Sequence, residues 1–402
     1  MRWDGPSRAY EGPETQRPIL AGPDGTGEGE GSPQHPRLLG TWWLPPAPRC
    51  QGRRARVLGA AAALGLLAAV ASIRLVHRGS GPVGHPLAEA PQFLATKPLV
   101  GACPGTISVG GVGPVALTNA KWNSPGVPGG EVRLLDGAVA PSMWGRTYFA
   151  QTCVEGEYNQ SRYTMLKLLG KTLQYMVDLS GAGCGCNVAV YLASIAHNFQ
   201  ASLCSDYYCD AANICGVRCD EIDIQEANKY AWHSTLHVHD DPGGGGIGYG
   251  GTLRNNWTVG EYGPGAKCVD TNAPFRVAVS FPVGADGNLL ALDIVLSQDA
   301  KPCTLTQHVY ADHYMYRGRQ AGLELSRSLA QGMVPVVSYW SSESLLWLDG
   351  RESDGKGGCS RDDPTTCQDT VRLYDFSVTG IQAPLPAPAA AAPADPRASA
   401  SV

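Results

Sequence analysis

Glu221, Asp223 and Glu226 place three carboxylates within six residues of a run that otherwise reads as a strand. On a regular strand, residues two apart share a face, so Glu221 and Asp223 point the same way. Glu226 lies at an odd offset from Glu221 and would point to the opposite face. One extra residue, a β-bulge between the acids, returns it to the face of the other two. Like charges on one face repel, so a solvated strand has little use for such a patch. Retaining hydrolysis of a glycosidic bond does use it. That chemistry needs a nucleophilic carboxylate and an acid/base carboxyl about 5–5.5 Å apart. The residues alone also allow an acidic solvated strand, or a Ca²⁺ site built of oxygen ligands.

The rest of the chain must supply a sheet for this strand. Glycine (50) and proline (30) make up about a fifth of 402 residues, and 17% are charged, which favours an all-β fold with many turns. Leu173, Tyr175, Val177 and Leu179 alternate with Thr172, Gln174, Met176 and Asp178. Further strands are expected at 187–195, 275–281, 289–296, 333–340, 345–348 and 371–378, with a hairpin at Gly284-Ala-Asp-Gly287. One helix is expected, over 321–331, with Gly332 placed to end it. The pattern predicts a curved, two-sheet antiparallel β-sandwich with one short helix. Net charge is −5, which proposes no nucleic-acid partner.

Residues 1–56 are mostly Gly, Pro and polar groups and read as a disordered cytoplasmic segment. Val57–Ile73 is an uncharged apolar run, with Arg53, Arg54 and Arg56 before it and Arg74 and Arg78 after it. It reads as a single transmembrane signal-anchor with the N-terminus in the cytosol, or as a signal peptide cleaved near Ala69-Val70-Ala71. Either reading exports the remainder of the chain: a stalk at 79–102, a compact domain at 103–382, and a Pro/Ala tail at 383–402. Twelve of the 13 cysteines lie after the apolar run, enough for six disulfides in an oxidising compartment; a zinc cluster is the less favoured alternative. Asn159 and Asn256 open glycosylation sequons.

Four motifs in order give a resemblance. Cys219-Asp-Glu221-Ile-Asp223-Ile-Gln-Glu226-Ala-Asn228, Leu168-Leu-Gly170 with the strand after it, Tyr262-Gly-Pro-Gly265, and 332–349 with Trp340 and Trp347 are similar to segments of glycoside hydrolase family 7. These are jelly-roll cellulases related to concanavalin-like lectins. The resemblance covers about 160–380. It implies Glu221 as nucleophile, Glu226 as acid/base, and Asp223 between them. It also implies substrate contacts from Trp340, Trp347, His237 and Arg254, with Trp122 as an entrance tryptophan. His237 would donate near Glu226 and the leaving sugar. A His233/His237/His239 metal site with Asp240 and Asp241 is the rival reading of that cluster. The implied activity is hydrolysis of β-1,4-glucosidic bonds in a β-glucan by a monomer with no cofactor. A family 16-like β-1,3-glucanase or transglycosylase, and a non-catalytic lectin-like wall-binding protein, remain alternatives. Two departures stand out. Gln225 replaces a common Trp, and the short 227–262 segment predicts an open cleft and internal, endo-type attack.

Overall fold

The computed structural model describes residues 103–381, apart from residues 254, 256, 352–356 and 370. Two antiparallel sheets make the body. The eight-stranded sheet runs, edge to edge, Gly105–Val109, Gly113–Asn119, Gly145–Ala150, Val334–Ser341, Cys186–Ala193, Glu221–Asn228, Ala231–His237 and Gly245–Tyr249. The seven-stranded sheet runs Leu305–Tyr310, Ala291–Ser297, Phe275–Ser280, Lys171–Asp178, Arg372–Gly380, Ala138–Pro141 and Val132–Leu135. Sequence neighbours such as Glu221–Asn228 and Ala231–His237 form hairpins, while Val334–Ser341 inserts between strands from much earlier in the chain.

Alternation explains the layering. Val188, Val190 and Leu192 on one sheet meet Leu173, Tyr175, Val177, Phe275, Val277 and Val279 of the other, all within one buried cluster. Burying a side chain of this size contributes about 1.5–3 kcal/mol. The opposite, outward residues of the eight-stranded sheet are not bare. Tyr148, Ala189, Tyr191, Ala193, Val334 and Val336 pack under Tyr163, Cys204, Tyr208 and Cys209 in a second cluster.

Six disulfides join the twelve cysteines: 103–153, 184–359, 186–367, 204–215, 209–219 and 268–303. The cysteines that crowd the segment before the acidic strand are therefore bonded to sulfur, which removes the thiolates a zinc cluster needs. The helix forms over Ala321–Gln331, and Gly332 ends it at φ 110°, a region that favours glycine. The Gly284–Gly287 turn closes between bridged Val283 and Leu289.

The segment 345–348 corrects the expectation of a strand. Leu346–Asp349 is a short helix. The Leu345 and Leu346 N–H groups donate to the Asp362 carboxylate, while Asp349 and Gly350 N–H groups bond back to the Leu345 and Leu346 carbonyls. A distant acid thus satisfies two of the orphan donors that open the turn. No helix among the described residues is long and apolar enough to cross a membrane. The Val57–Ile73 run, the 1–56 leader, the 79–102 stalk and the 383–402 tail lie outside the described residues.

Candidate active site

The acidic strand Glu221–Asn228 carries the irregularity that its spacing demands. Its pairing with Ala231–His237 is regular through Asp223↔Thr235 and then shifts before Glu226↔His233. On the other side it shifts between Asp223↔Tyr191 and Gln225↔Val190. Ile222, Ile224 and Ala227 face the inter-sheet core. Gln225 points there too. Its Oε1 accepts from the Tyr175 hydroxyl of the opposite sheet (3.1 Å) and its Nε2 donates to the Val188 carbonyl (3.1 Å). Two consecutive inward residues, Ile224 and Gln225, are what a bulge produces. Glu221, Asp223 and Glu226 thereby occupy the outward side together, the first two buried and Glu226 partly exposed.

Each acid has a distinct partner. Glu226 Oε1 accepts from Asn187 Nδ2 (2.8 Å), and Asn187 Oδ1 accepts the Ala227 N–H (3.1 Å), which fixes the amide. Asp223 Oδ2 lies 3.1 Å from His237 Nε2. His237 Nδ1 lies 3.0 Å from the Asp241 carbonyl, and Tyr314 donates to the Asp241 carboxylate (2.6 Å). Glu221 Oε2 accepts the Ala211 N–H (3.2 Å). The Cys209–Cys219 disulfide folds Asp210 and Ala211 back onto the start of the acidic strand.

Burial and crowding set the protonation. Burial and the Asp223 charge push Glu226 up to about 8, against the opposing pull of Asn187 and His237. Burial raises Glu221 well above the usual carboxylate range, with Asp223 and Asp210 adding to it and the Ala211 N–H opposing. Asp210 is also raised, chiefly by burial. For His237, burial favours the neutral ring, but the hydrogen bond and charge of Asp223 outweigh it and the net shift is upward. An imidazolium can donate from both nitrogens, matching its two acceptors.

The tryptophans flank this group. Trp340, partly exposed, pairs across strands with Asn187, the residue that holds Glu226. Trp347 stands on the short helix rather than a strand, 38% exposed, with its ring 6.0 Å from the ring of His233. His233 is the cross-strand partner of Glu226; its Nε2 donates to the Gly250 carbonyl (2.7 Å), and burial lowers it to about 4. His239 lies past the strand end beside Asp220, and Asp240 binds Arg319. The three histidines thus have separate partners. Trp122 is half-buried against the outward cluster, its carbonyl held by Arg146 Nη2 (2.8 Å). Arg254 lies outside the described residues. Asn187, Asp210 and Ala211 are site residues that the sequence reading does not single out. A polar Asn at the head of an apolar run is the available sign for the first.

The fold and this strand define a β-sandwich with a carboxylate-lined outward face. The solved glycosynthase mutants of Humicola insolens Cel7B share the fold, with a TM-score of 0.50 and 19% identity over 70% of this chain and 97% of theirs. Endoglucanase 1 of Pyricularia oryzae is 28% identical over 257 residues, covering 50% of this chain and 60% of its own length. Endoglucanase EG-1 of Hypocrea jecorina is 30% identical over 238 residues, covering 50% and 49%. No family model matches the chain. The likeness to these curated endoglucanases supports glycoside hydrolase family 7. The chain spans about half the length of the curated relatives it matches.

Proposed function

We propose that the protein is a retaining glycoside hydrolase that cleaves β-1,4-glucosidic bonds in cellulose or a related β-glucan. The observation that carries this reading is the bulge between Asp223 and Glu226, which gathers three acids and His237 on one outward face. Glu226 keeps its proton at neutral pH and is the general acid for the leaving oxygen; afterwards it takes a proton from water. Glu221 is the nucleophile that forms the glycosyl–enzyme. Crowded carboxyls do not all ionise together, and the Ala211 N–H favours the charge on Glu221. Asp223, held by His237, spaces the pair. Trp340 and Trp347 offer ring faces to sugars on either side of Glu226. Internal cleavage in an open cleft fits the short loops and the endoglucanase names of the relatives. Six disulfides fit an exported domain.

The test is hydrolysis of carboxymethyl-cellulose. Wild type should release reducing ends with an early fall in viscosity, and Glu221→Gln should abolish both. Equal activity in the variant, or hydrolysis of laminarin alone, would refute the proposal.

A further inference from the structure

We propose that Asp349 and Asp362 share one proton across their two Oδ1 atoms and act as a positioning pair that fixes Trp347 beside the acidic strand. Asp349 is fully buried at the end of the short helix. Its Oδ2 accepts from the Gly185 N–H (2.9 Å) and from Asn228 Nδ2 (2.7 Å). Asp362 Oδ2 accepts the Leu345 and Leu346 N–H groups that open the same helix. Every one of these donors is spent on an Oδ2. Both Oδ1 atoms are buried with no hydrogen-bond partner, and the Asp362 carboxyl is close enough to act on Asp349. A single proton satisfies two such acceptors, whereas two anions there would repel without a donor between them.

The pair joins three pieces of the site. Gly185 precedes the strand that carries Asn187. Asn228 lies two residues beyond Glu226. Leu345 and Leu346 lead into Trp347. Among the described residues packed there, Gly185 and Asn228 are neutral, Arg361 of the facing loop pairs with Asp363 (3.9 Å), and Tyr230 packs against Gly358. Burial, together with the Asp362 charge, raises Asp349 to about 6, against Gly185 and Asn228. The pair therefore holds its proton below that pH and loses it above. The consequence for binding rests on the reading of Trp347 as a sugar platform.

Asp349→Asn imitates the protonated state, since its oxygen can take the two donors and its amide can donate to Asp362. If the deprotonated form does not bind, KM for a soluble cello-oligosaccharide should rise about tenfold from pH 5 to pH 7 in wild type and stay flat in the variant. The Trp347 fluorescence, isolated by difference against Trp347→Phe, should shift with a midpoint near 6 in wild type and not in Asp349→Asn. Asp362→Asn, which can donate to Asp349, serves if the first variant does not fold. A flat wild-type fluorescence signal, or the same midpoint in the folded variant, overturns the pair. Fluorescence that behaves as expected without any glucan hydrolysis would leave the pair standing and remove the glycosidase reading instead.

Discussion

Replacing Glu226 by Gln should abolish hydrolysis and at the same time stabilise the fold at neutral pH. The carboxyl moves from an ordinary 4.5 to about 8 on folding, so the native state binds a proton that the unfolded chain has released. Such a group contributes its stability fully below pH 4.5 and loses it as pH rises through 8. Holding that proton at pH 7 costs about 3 kcal/mol. Glu226 titrates as part of a coupled group of acids, so about 2 kcal/mol is the expected gain from Gln. Gln keeps an oxygen for Asn187 Nδ2 and presents its own amide toward the acids. For a domain of this size, that gain raises Tm by about 4 °C at pH 7. At pH 4, where both states are protonated, the difference should vanish. Thermal melts of both proteins at the two pH values decide it. A variant equally shifted at pH 4 and pH 7, or less stable at pH 7, would refute the link between burial and protonation.

Two other changes test the supports of the site. Asn187→Ala removes a donor that lowers the Glu226 pKa, so the alkaline limb of the pH–rate profile should move to higher pH. A profile that keeps its limb would mean that Asn187 does not set the proton. Gln225→Leu leaves the buried Tyr175 hydroxyl without its acceptor and should cost about 1–3 kcal/mol in urea unfolding, with the acids still in place. An unchanged unfolding midpoint would mean that the inward amide is dispensable.

What the sequence exposes and what it hides divide along physical lines. The odd offset from Glu221 to Glu226 announces a bulge because side-chain alternation is strict, and the register shifts at that point. Gly332 announces a helix end because few other residues tolerate its backbone. Gln225 faces the core, away from the acids, because the bulge puts it on the inward side beside Ile224. The 345–348 run misleads because apolar residues suit a strand equally well. Its helix depends on Asp362, which is remote in sequence. Asp210 stays hidden for a similar reason, since the Cys209–Cys219 bond and a turn of backbone hydrogen bonds carry it to Glu221. Local patterns reveal faces and ends; partners supplied by chain closure do not appear in them.

Double displacement makes a prediction about stereochemistry that no binding protein or inverting enzyme shares. Fresh cleavage of a cello-oligosaccharide, followed by proton NMR before mutarotation, should release the new reducing end first as the β-anomer, with Glu221→Gln silent. Initial release of the α-anomer, or no cleavage by the folded protein, would contradict the assignment of Glu221 and Glu226 as nucleophile and acid/base.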